Sequence, residues 1–554
     1  MAKISRIFNS QAKTVTFAAF LLAVSALASR LLGLARDRLL AGTFGAGPEL
    51  DIYFAAFRVP DFIYALLITG GISAVFLPVF SGIFQHDSTA AWKFVNNALD
   101  VFSAGLVALC VVLALFTPLL VYFIAPGFSG EQKEITILLT RIMFLSPIIF
   151  GIASIFSGVL HYFNKFLIYS LAPVLYNLGI ILGIVFFVPY FGLQGLAFGV
   201  ILGAFLYLAV QIPAAVNSGW SFKFAFQPRD PSLRKMFRLM LPRTLGTSAY
   251  QLNLFFITAY ASTLGAGSIA VFNFSNNLQY FPIGLIGISF AMAVFPALSR
   301  SWAQNNKEKF LHQFHSVFGQ VLFLAVPVSV LMFLLRAQIV RLILGTGQFG
   351  WLETRLVAAS LGVFALGIFA ASLVPLLARA FFSLHDTRTP AYIGVAAVIQ
   401  NIAFSFLFVW VFAFPNIFRE IFVRMFDLPD INDVAIIALP LAISLSGIIQ
   451  FILLMAFLGV RIGGLRMKEV RRSAQKIIVA GFACGVAVYF AIHLATGFLD
   501  TRTFFGVFGQ TAAAAIAGTA AYLAAAYFLR VPELAAIWSS VVRQIPGQSR
   551  KVIA

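Results

Sequence analysis

Residues 29–61 read SRLLGLARDRLLAGTFGAGPELDIYFAAFRVPD, with eight charged side chains set among residues apolar enough for a membrane span. Arg30, Arg36, Asp37, Arg38, Asp51, Arg58 and Asp61 fall within the first two hydrophobic segments of the chain or directly beside them, and Glu49 in the turn between. A charge at the bilayer centre costs at least about 2.5–3.5 kcal/mol unless it faces protein or water. The stretch therefore predicts spans that line a polar interior and do not face lipid all round.

The remainder of the chain supplies the membrane context. Of 554 residues, 61% are hydrophobic and 10% charged, 63 are phenylalanine, and the mean hydropathy is +0.96. A soluble fold could not hide that much apolar surface. A span needs about 20 apolar residues, and fourteen segments qualify: 14–36, 50–85, 92–124, 134–160, 166–189, 191–217, 236–263, 268–299, 310–335, 354–382, 390–412, 433–460, 474–497 and 504–530. The expected fold is an all-α polytopic membrane protein of about 14 transmembrane helices. Pro60, Pro78, Pro147, Pro282, Pro296 and Pro375 interrupt spans and should bend them. Lys3, Arg6 and Lys13 precede an apolar run without a small-residue cleavage pattern, so the first span is expected to be retained. Cys110 and Cys484 lie far apart in apolar runs and predict no disulfide framework.

Charge sets the orientation. With the N-terminus placed in the cytoplasm, cytoplasmic loops hold 25 of the 38 Lys and Arg residues against 6 acidic ones, and outer loops hold 9 basic against 10 acidic. The positive-inside rule then puts both termini in the cytoplasm of a multi-pass inner-membrane protein. Basic loops against an anionic leaflet account for most of the net charge of +19, with no need of nucleic acid. Subtracting the loops leaves Arg30, Arg58, Arg141, Arg243, Asp51, Asp61 and Asp100 inside spans.

The sequence also echoes itself. FGAG at 44–47 returns as LGAG at 264–267, AVFLP at 74–78 as AVFP at 293–296, and HYFNKFLIYSLAPVLYN at 161–177 aligns with HDTRTPAYIGVAAVIQN at 385–401. The shared shift of about 220 residues spans six helices, and an even number preserves direction, so two parallel six-helix repeats are expected with two further C-terminal helices. The expected division is an N-terminal lobe at 1–217, a cytoplasmic linker at 218–233, a second lobe at 234–460, and two helices with a basic tail at 461–554. Transporters of this build place substrate where the repeats meet.

The opening stretch resembles the signature of the MurJ (MviN) family, bacterial lipid II flippases of the MOP exporter superfamily. The likeness continues through GGISAVFLPVFS at 70–81, APGF at 125–128 and FPIGLIGISFAMAVFPALS at 281–299. It implies fourteen helices in two lobes, a lipid-facing groove made by the last two helices, and outward movement of an undecaprenyl-pyrophosphate-linked peptidoglycan precursor. Arg30, Arg36 and Asp37 match essential charged positions of the family's first helix, Asp51 the acidic position of its second, and Arg58 a usual basic one. The chain departs from the pattern at Tyr64 and Asn277, where cavity arginines are expected, at Tyr280 in place of a glutamate, and at Thr69 in place of an acidic residue. Arg243, in LMLPRTLGTSAYQLN, is a basic residue outside that pattern and a candidate compensation.

Each candidate has a plain structural alternative. Arg30 and Arg36 lie about 120° apart around a helix; both suit a pyrophosphate, which guanidinium groups grip bidentately, while Arg36, Asp37 and Arg38 could equally form an interfacial ion cluster. Arg38 reads as structural. Asp51 either gates the cavity by pairing with a first-helix arginine or is a helix N-terminal charge. Asp61, three residues after Arg58, reads as an intrahelical neutralising partner; Asp100 and Arg141 either pair or reach an interface. Asn273, Asn276 and Asn277 share one face with Gln279 nearby, as a helix–helix contact or as a wall facing sugar or ion. His312 and His315 read as interfacial. No metal site and no cofactor are expected, since six histidines occur without HExxH or paired cysteines.

The substrate-binding set expected is thus Arg30, Arg36, Arg58, Arg243 and Asn277, with Asp37 and Asp51 in gating or charge pairing. The partners expected are a lipid-linked glycan pyrophosphate, membrane lipids and a coupling ion, with the chain acting as a monomer. Competing functions are a flippase for another polyprenyl-linked oligosaccharide, a cation or small-molecule antiporter, and a polytopic glycosyltransferase. An enzyme fits least, because no DxD motif, Walker loop or large soluble domain is present.

The orientation is testable by cysteine labelling. Cysteines at Ala225→Cys and Lys468→Cys should react only with a membrane-permeant reagent, and those at Pro48→Cys and Met425→Cys with an impermeant one added outside. Labelling of position 225 from outside intact cells would overturn the topology.

Overall fold

The computed structural model describes residues 15–543 apart from 432 and 466. Each of the fourteen apolar segments falls on a helical run, and no strand occurs among the described residues. These runs are α1 (Val15–Phe44), α2 (Pro48–Ile63, Tyr64–Ile72 and Ser73–Phe84 end to end), α3 (Ser88–Leu115) and α4 (Gly130–Tyr162). Next come α5 (Phe166–Phe191), α6 (Gln194–Val216), α7 (Pro231–Ala261) and α8 (Ser268–Ala303). The series ends with α9 (Lys307–Leu334), α10 (Trp351–Ala365 and Ile368–Ser383), α11 (Arg388–Ala413), α12 (Ala435–Ile462), α13 (Lys468–Thr496) and α14 (Phe504–Phe528).

Ten of these runs are long and apolar enough to cross a membrane, and α10, bent by 48° at its break, makes an eleventh. The other three, α1, α2 and α7, are the ones that carry Arg30, Arg58 and Arg243.

Proline disturbs the helices where the sequence places it. In α2, Pro60 is followed by a wide π-helical stretch at Tyr64–Ile72, and in α8, Pro282 is followed by another at Ile283–Ile288. A proline lacks the amide that would bond one turn back, and a π turn absorbs the mismatch. Each run then carries one more proline, Pro78 and Pro296.

The chain forms two compact units, one running through Ala270 and including Thr346–Phe349, the other comprising Val271–Gly345 and Gly350 onward. In the first, Phe76, Phe80, Phe94, Phe156 and Val159 centre the apolar core. Asn96, Asn97 and Asp100 of α3 clip the following linker to it: Asn96 bonds the Ser221 carbonyl at 2.9 Å, Asn97 that of Gln227 at 3.0 Å, and Asp100 accepts from the Ala225 amide at 2.6 Å. Asp100 and Arg141 do not pair, because Arg141 donates instead to the Ala114 carbonyl at 3.1 Å. In the second unit α13 and α14 pack on α9, where the buried Tyr522 hydroxyl donates to the Phe323 carbonyl at 2.7 Å.

Within the first unit, α5 and α6 cross on glycine. Gly179 and Gly183 face Gly203 and Gly199, and a Cβ on Gly183 would stand 2.3 Å from the Gly199 Cα. Small residues four apart let two backbones meet in a medium where burial of apolar surface offers no drive between helices. Gly199→Leu should therefore cost about 1–3 kcal/mol of stability by forcing the helices apart. Gly105→Leu, where nothing lies within 4 Å, should change little. Thermal unfolding of both variants in detergent measures the difference, and equal midpoints would contradict this packing.

Candidate functional site

The charges of the opening stretch gather inside the first unit. Arg36 is held from two sides. Its Nε and Nη2 donate to Asp37 Oδ1 at 3.1 and 2.8 Å, and its Nη1 donates to Asn177 Oδ1 on α5 at 3.3 Å. Asn177 is fixed in turn, donating to the Ser29 hydroxyl at 3.2 Å and to the Pro173 carbonyl at 3.2 Å. One further turn along α1, the Ser25 and Ser170 hydroxyls meet at 2.9 Å. A polar ladder thus joins α1 to α5 through the span. Asp37 is buried, while the Arg36 side chain keeps 23% of its surface exposed, enough to reach a ligand.

Tyr53 of α2 and Tyr176 of α5 stand close enough to Arg36 to interact electrostatically with it. Arg30, half-buried, lies about 9 Å further down the axis of α1. Arg38 is half-buried beside the Arg36–Asp37 pair.

Arg58 interacts electrostatically with Asp61, as expected, but donates a hydrogen bond to another helix. Its Nε donates to Thr258 Oγ1 of α7 at 2.6 Å, which draws the guanidinium toward α7, and no ion pair joins it to Asp61 among the described residues. The rings of Tyr64, Phe150, Tyr176 and Tyr207 form an aromatic group, with Phe150 at 4.9, 5.1 and 5.2 Å from the three tyrosines. Tyr64 thus fills with an aromatic ring the position where the resemblance implies an arginine.

Asp51 sits elsewhere. Both carboxylate oxygens accept backbone amides at the start of α8, from Gly267 at 2.6 Å and Ala270 at 2.8 Å. Of the two roles open for it, this geometry is that of a helix N-terminal charge. It acts across 216 residues of sequence, not on its own helix. Gly267 makes that turn with φ +86, and a Cβ there would strike the Ala46 carbonyl at 1.9 Å. The paired motifs FGAG and LGAG therefore meet in space. The APGF motif joins the same region: the Gly127 amide donates to Ser262 Oγ at 3.1 Å.

The remaining candidates are more dispersed. Arg243 lies on helical backbone in α7, but its side chain, like that of Thr69, is outside the described residues. Asn277, on α8 in the second unit, is half-buried; near it Gln279 Nε2 donates to Asn276 Oδ1 at 3.1 Å, and Tyr280 is exposed. His315 binds the Leu465 carbonyl at 2.6 Å and His312 is exposed, as interfacial residues would be. Among the described residues no three His, Cys, Asp or Glu side chains cluster to hold a metal. In the second unit an apolar cavity of about 620 Å³ opens between α9, the bend of α10 and α13, with Phe333, Phe369, Phe482 and Phe490 on its walls.

Sequence reasoning did not single out Asn177, Thr258, Tyr53 or Tyr176 as site residues. Only Asn177 carried a signal, as the end of the aligned pair 161–177 and 385–401.

Comparison with known proteins decides the family. Residues 40–508 match the family model described as lipid II flippase MurJ. The chain belongs to the MurJ lipid II flippase family. A probable lipid II flippase MurJ of Rhizobium tropici is 29% identical over 391 residues, covering 69% of this chain and 73% of that protein. One from Haemophilus influenzae is 30% identical over 402 residues, covering 69% and 78%. A solved lipid II flippase MurJ in an inward closed conformation shares the fold with a TM-score of 0.74 at 23% identity, over 92% of this chain and 99% of that one. An inward-facing multidrug resistance transporter of the MATE family and MOP superfamily also shares it, at 0.63 and 17%, over 79% and 96%. Members of the MurJ family are multi-pass inner-membrane transporters and not enzymes, and this chain is one of them.

Proposed function

We propose that this chain flips lipid II from the inner to the outer leaflet by alternating access, with Arg30, Arg36 and Arg58 receiving the pyrophosphate and Arg243 adding charge from α7. Membership in the MurJ family supports the substrate. The observation that carries the site is Arg36: a partly exposed side chain on a first-span helix, oriented by Asp37 on one edge and Asn177 on the other. Two partners on separate edges hold the fork ready for an anion, which cuts the ordering cost of binding. Asp37 neutralises Arg36 when no substrate is present. Asp51 holds the first turn of α8 as a helix N-terminal charge.

The lipid tail need not enter the polar site. The apolar cavity beside α13 offers it a surface that costs nothing to desolvate. Both termini lie in the cytoplasm, the chain works as a monomer, and a coupling ion, the membrane potential or downstream consumption of the product drives the cycle, since no ATP-binding motif is present. Two parallel repeats make up the transporter. The matching order of proline, π turn and proline in α2 and α8 supports that duplication.

Variants in a strain depleted of its own lipid II flippase test the site. Arg30→Ala and Arg36→Ala should each abolish complementation at normal expression, Arg38→Ala should be tolerated, and Arg30→Lys should rescue partly, because it keeps the charge and loses the bidentate fork. Near wild-type complementation by Arg30→Ala and Arg36→Ala would remove these arginines from the mechanism.

A further inference from the structure

Asp61 is the intramembrane carboxylate that the mechanism above leaves unused. It follows Pro60 in α2 and lies one turn beyond Arg58, on the same face and with Cβ atoms about 5–6 Å apart. It is half-buried, and among the described residues it accepts no hydrogen bond and joins no ion pair. The other acidic residues of the first two spans are committed: Asp37 holds Arg36, and Asp51 holds two amides. Asp61 is not.

The groups around it define what it can bind. Arg58 on its own helix and Tyr176 on α5 interact with it electrostatically. On α1, Arg36 and Asp37 are engaged with each other and with Asn177. On α7, Tyr250 faces Arg58. On α4, Arg141 is exposed and bonded to the Ala114 carbonyl. A divalent cation would need six or more oxygens around it, and no second carboxylate, histidine or cysteine completes such a set among the described residues. The ligand that a lone carboxylate can hold in this setting is a proton.

We propose that Asp61 is a proton-binding site linked to the substrate: it takes up one proton when a pyrophosphate occupies Arg58 and gives it back as the pyrophosphate leaves. This rests on the assignment of Arg58 to the pyrophosphate. In the empty protein burial disfavours the Asp61 carboxylate, and the neighbouring Arg58 charge offsets part of that cost. A bound pyrophosphate diester, carrying two negative charges, engages Arg58 and stands beside Asp61, and like charges at that range favour the protonated form. The proton comes from water in the open site and bonds to a carboxylate oxygen; no other bond changes. Binding then carries one negative charge fewer across the low-dielectric interior. On the release side, loss of the proton to water restores a carboxylate that competes with the pyrophosphate for Arg58. A single residue thereby weakens a grip that three arginines would otherwise make too tight for turnover.

The test uses the full-length protein in nanodiscs and farnesyl-pyrophosphoryl N-acetylglucosamine, a diester that does not itself titrate near neutral pH. Titration calorimetry in two buffers of different ionisation enthalpy counts the protons taken up on binding. The wild type should take up a proton and bind about tenfold more tightly at pH 6 than at pH 8. Asp61→Asn should take up none, bind with the same affinity at both pH values, and at pH 8 bind about tenfold more tightly than the wild type. Asp61→Ser serves in its place if Asp61→Asn fails to fold, and the wild-type pH comparison stands on its own. Binding by the wild type with no proton uptake and no pH dependence overturns the proposal while leaving the arginine site intact. Absence of binding by the wild type at either pH overturns the arginine site, and this proposal with it.

Discussion

A guanidinium at bilayer depth survives only where protein, water or an anion replaces the solvent it has lost. That constraint organises the first unit of this transporter. Arg36 satisfies it with three hydrogen bonds to two residues, and Arg58 with a hydroxyl on another helix. Each solution ties one helix to a second one: α1 to α5 through Asn177, and α2 to α7 through Thr258. The charges that make the spans costly in lipid are also what fix the helices around the polar interior.

The same economy explains the backbone. The α5–α6 crossing is built on facing glycines, and α2 and α8 each absorb a proline in a π-helical stretch. Helices that break, widen and cross closely give a transporter several places at which a span can bend without unfolding. The glycine turn at 264–267 has a different task. It aims the Gly267 amide at Asp51, beside the Ala270 amide of α8, so that a carboxylate following one copy of the motif meets the backbone at the other.

Much of this was legible in the sequence. Helical content and the placement of fourteen runs followed from apolar segment length alone, because a chain in lipid has few other ways to satisfy its backbone. Arg30, Arg36 and Arg58 were legible as charges that need protein or water around them, because a charge in an apolar run is costly in lipid. The partners were not. Asn177 and Thr258 are ordinary polar residues in their own helices, 141 and 200 residues from the arginines they hold, and no local pattern reveals such a distance. Asp61 was legible in part. Spacing of three residues on a helix predicted that it neutralises Arg58; the two charges do interact, but a hydrogen bond of Arg58 goes to a hydroxyl of α7, which the spacing could not show. Asp100 read as a span charge and proved to be a loop anchor, since the linker folds back over the end of α3.

The central claim is that guanidinium groups of the first two spans touch the phosphates of the carrier. Solid-state NMR measures this directly, through the dipolar coupling between ³¹P of a bound lipid pyrophosphate and ¹⁵N of labelled arginine side chains. The account predicts strong dephasing in the wild type that falls markedly in Arg36→Lys and again in an Arg30→Lys, Arg36→Lys double variant. Dephasing of equal strength in the wild type and the double variant would place the pyrophosphate on other arginines and contradict the account.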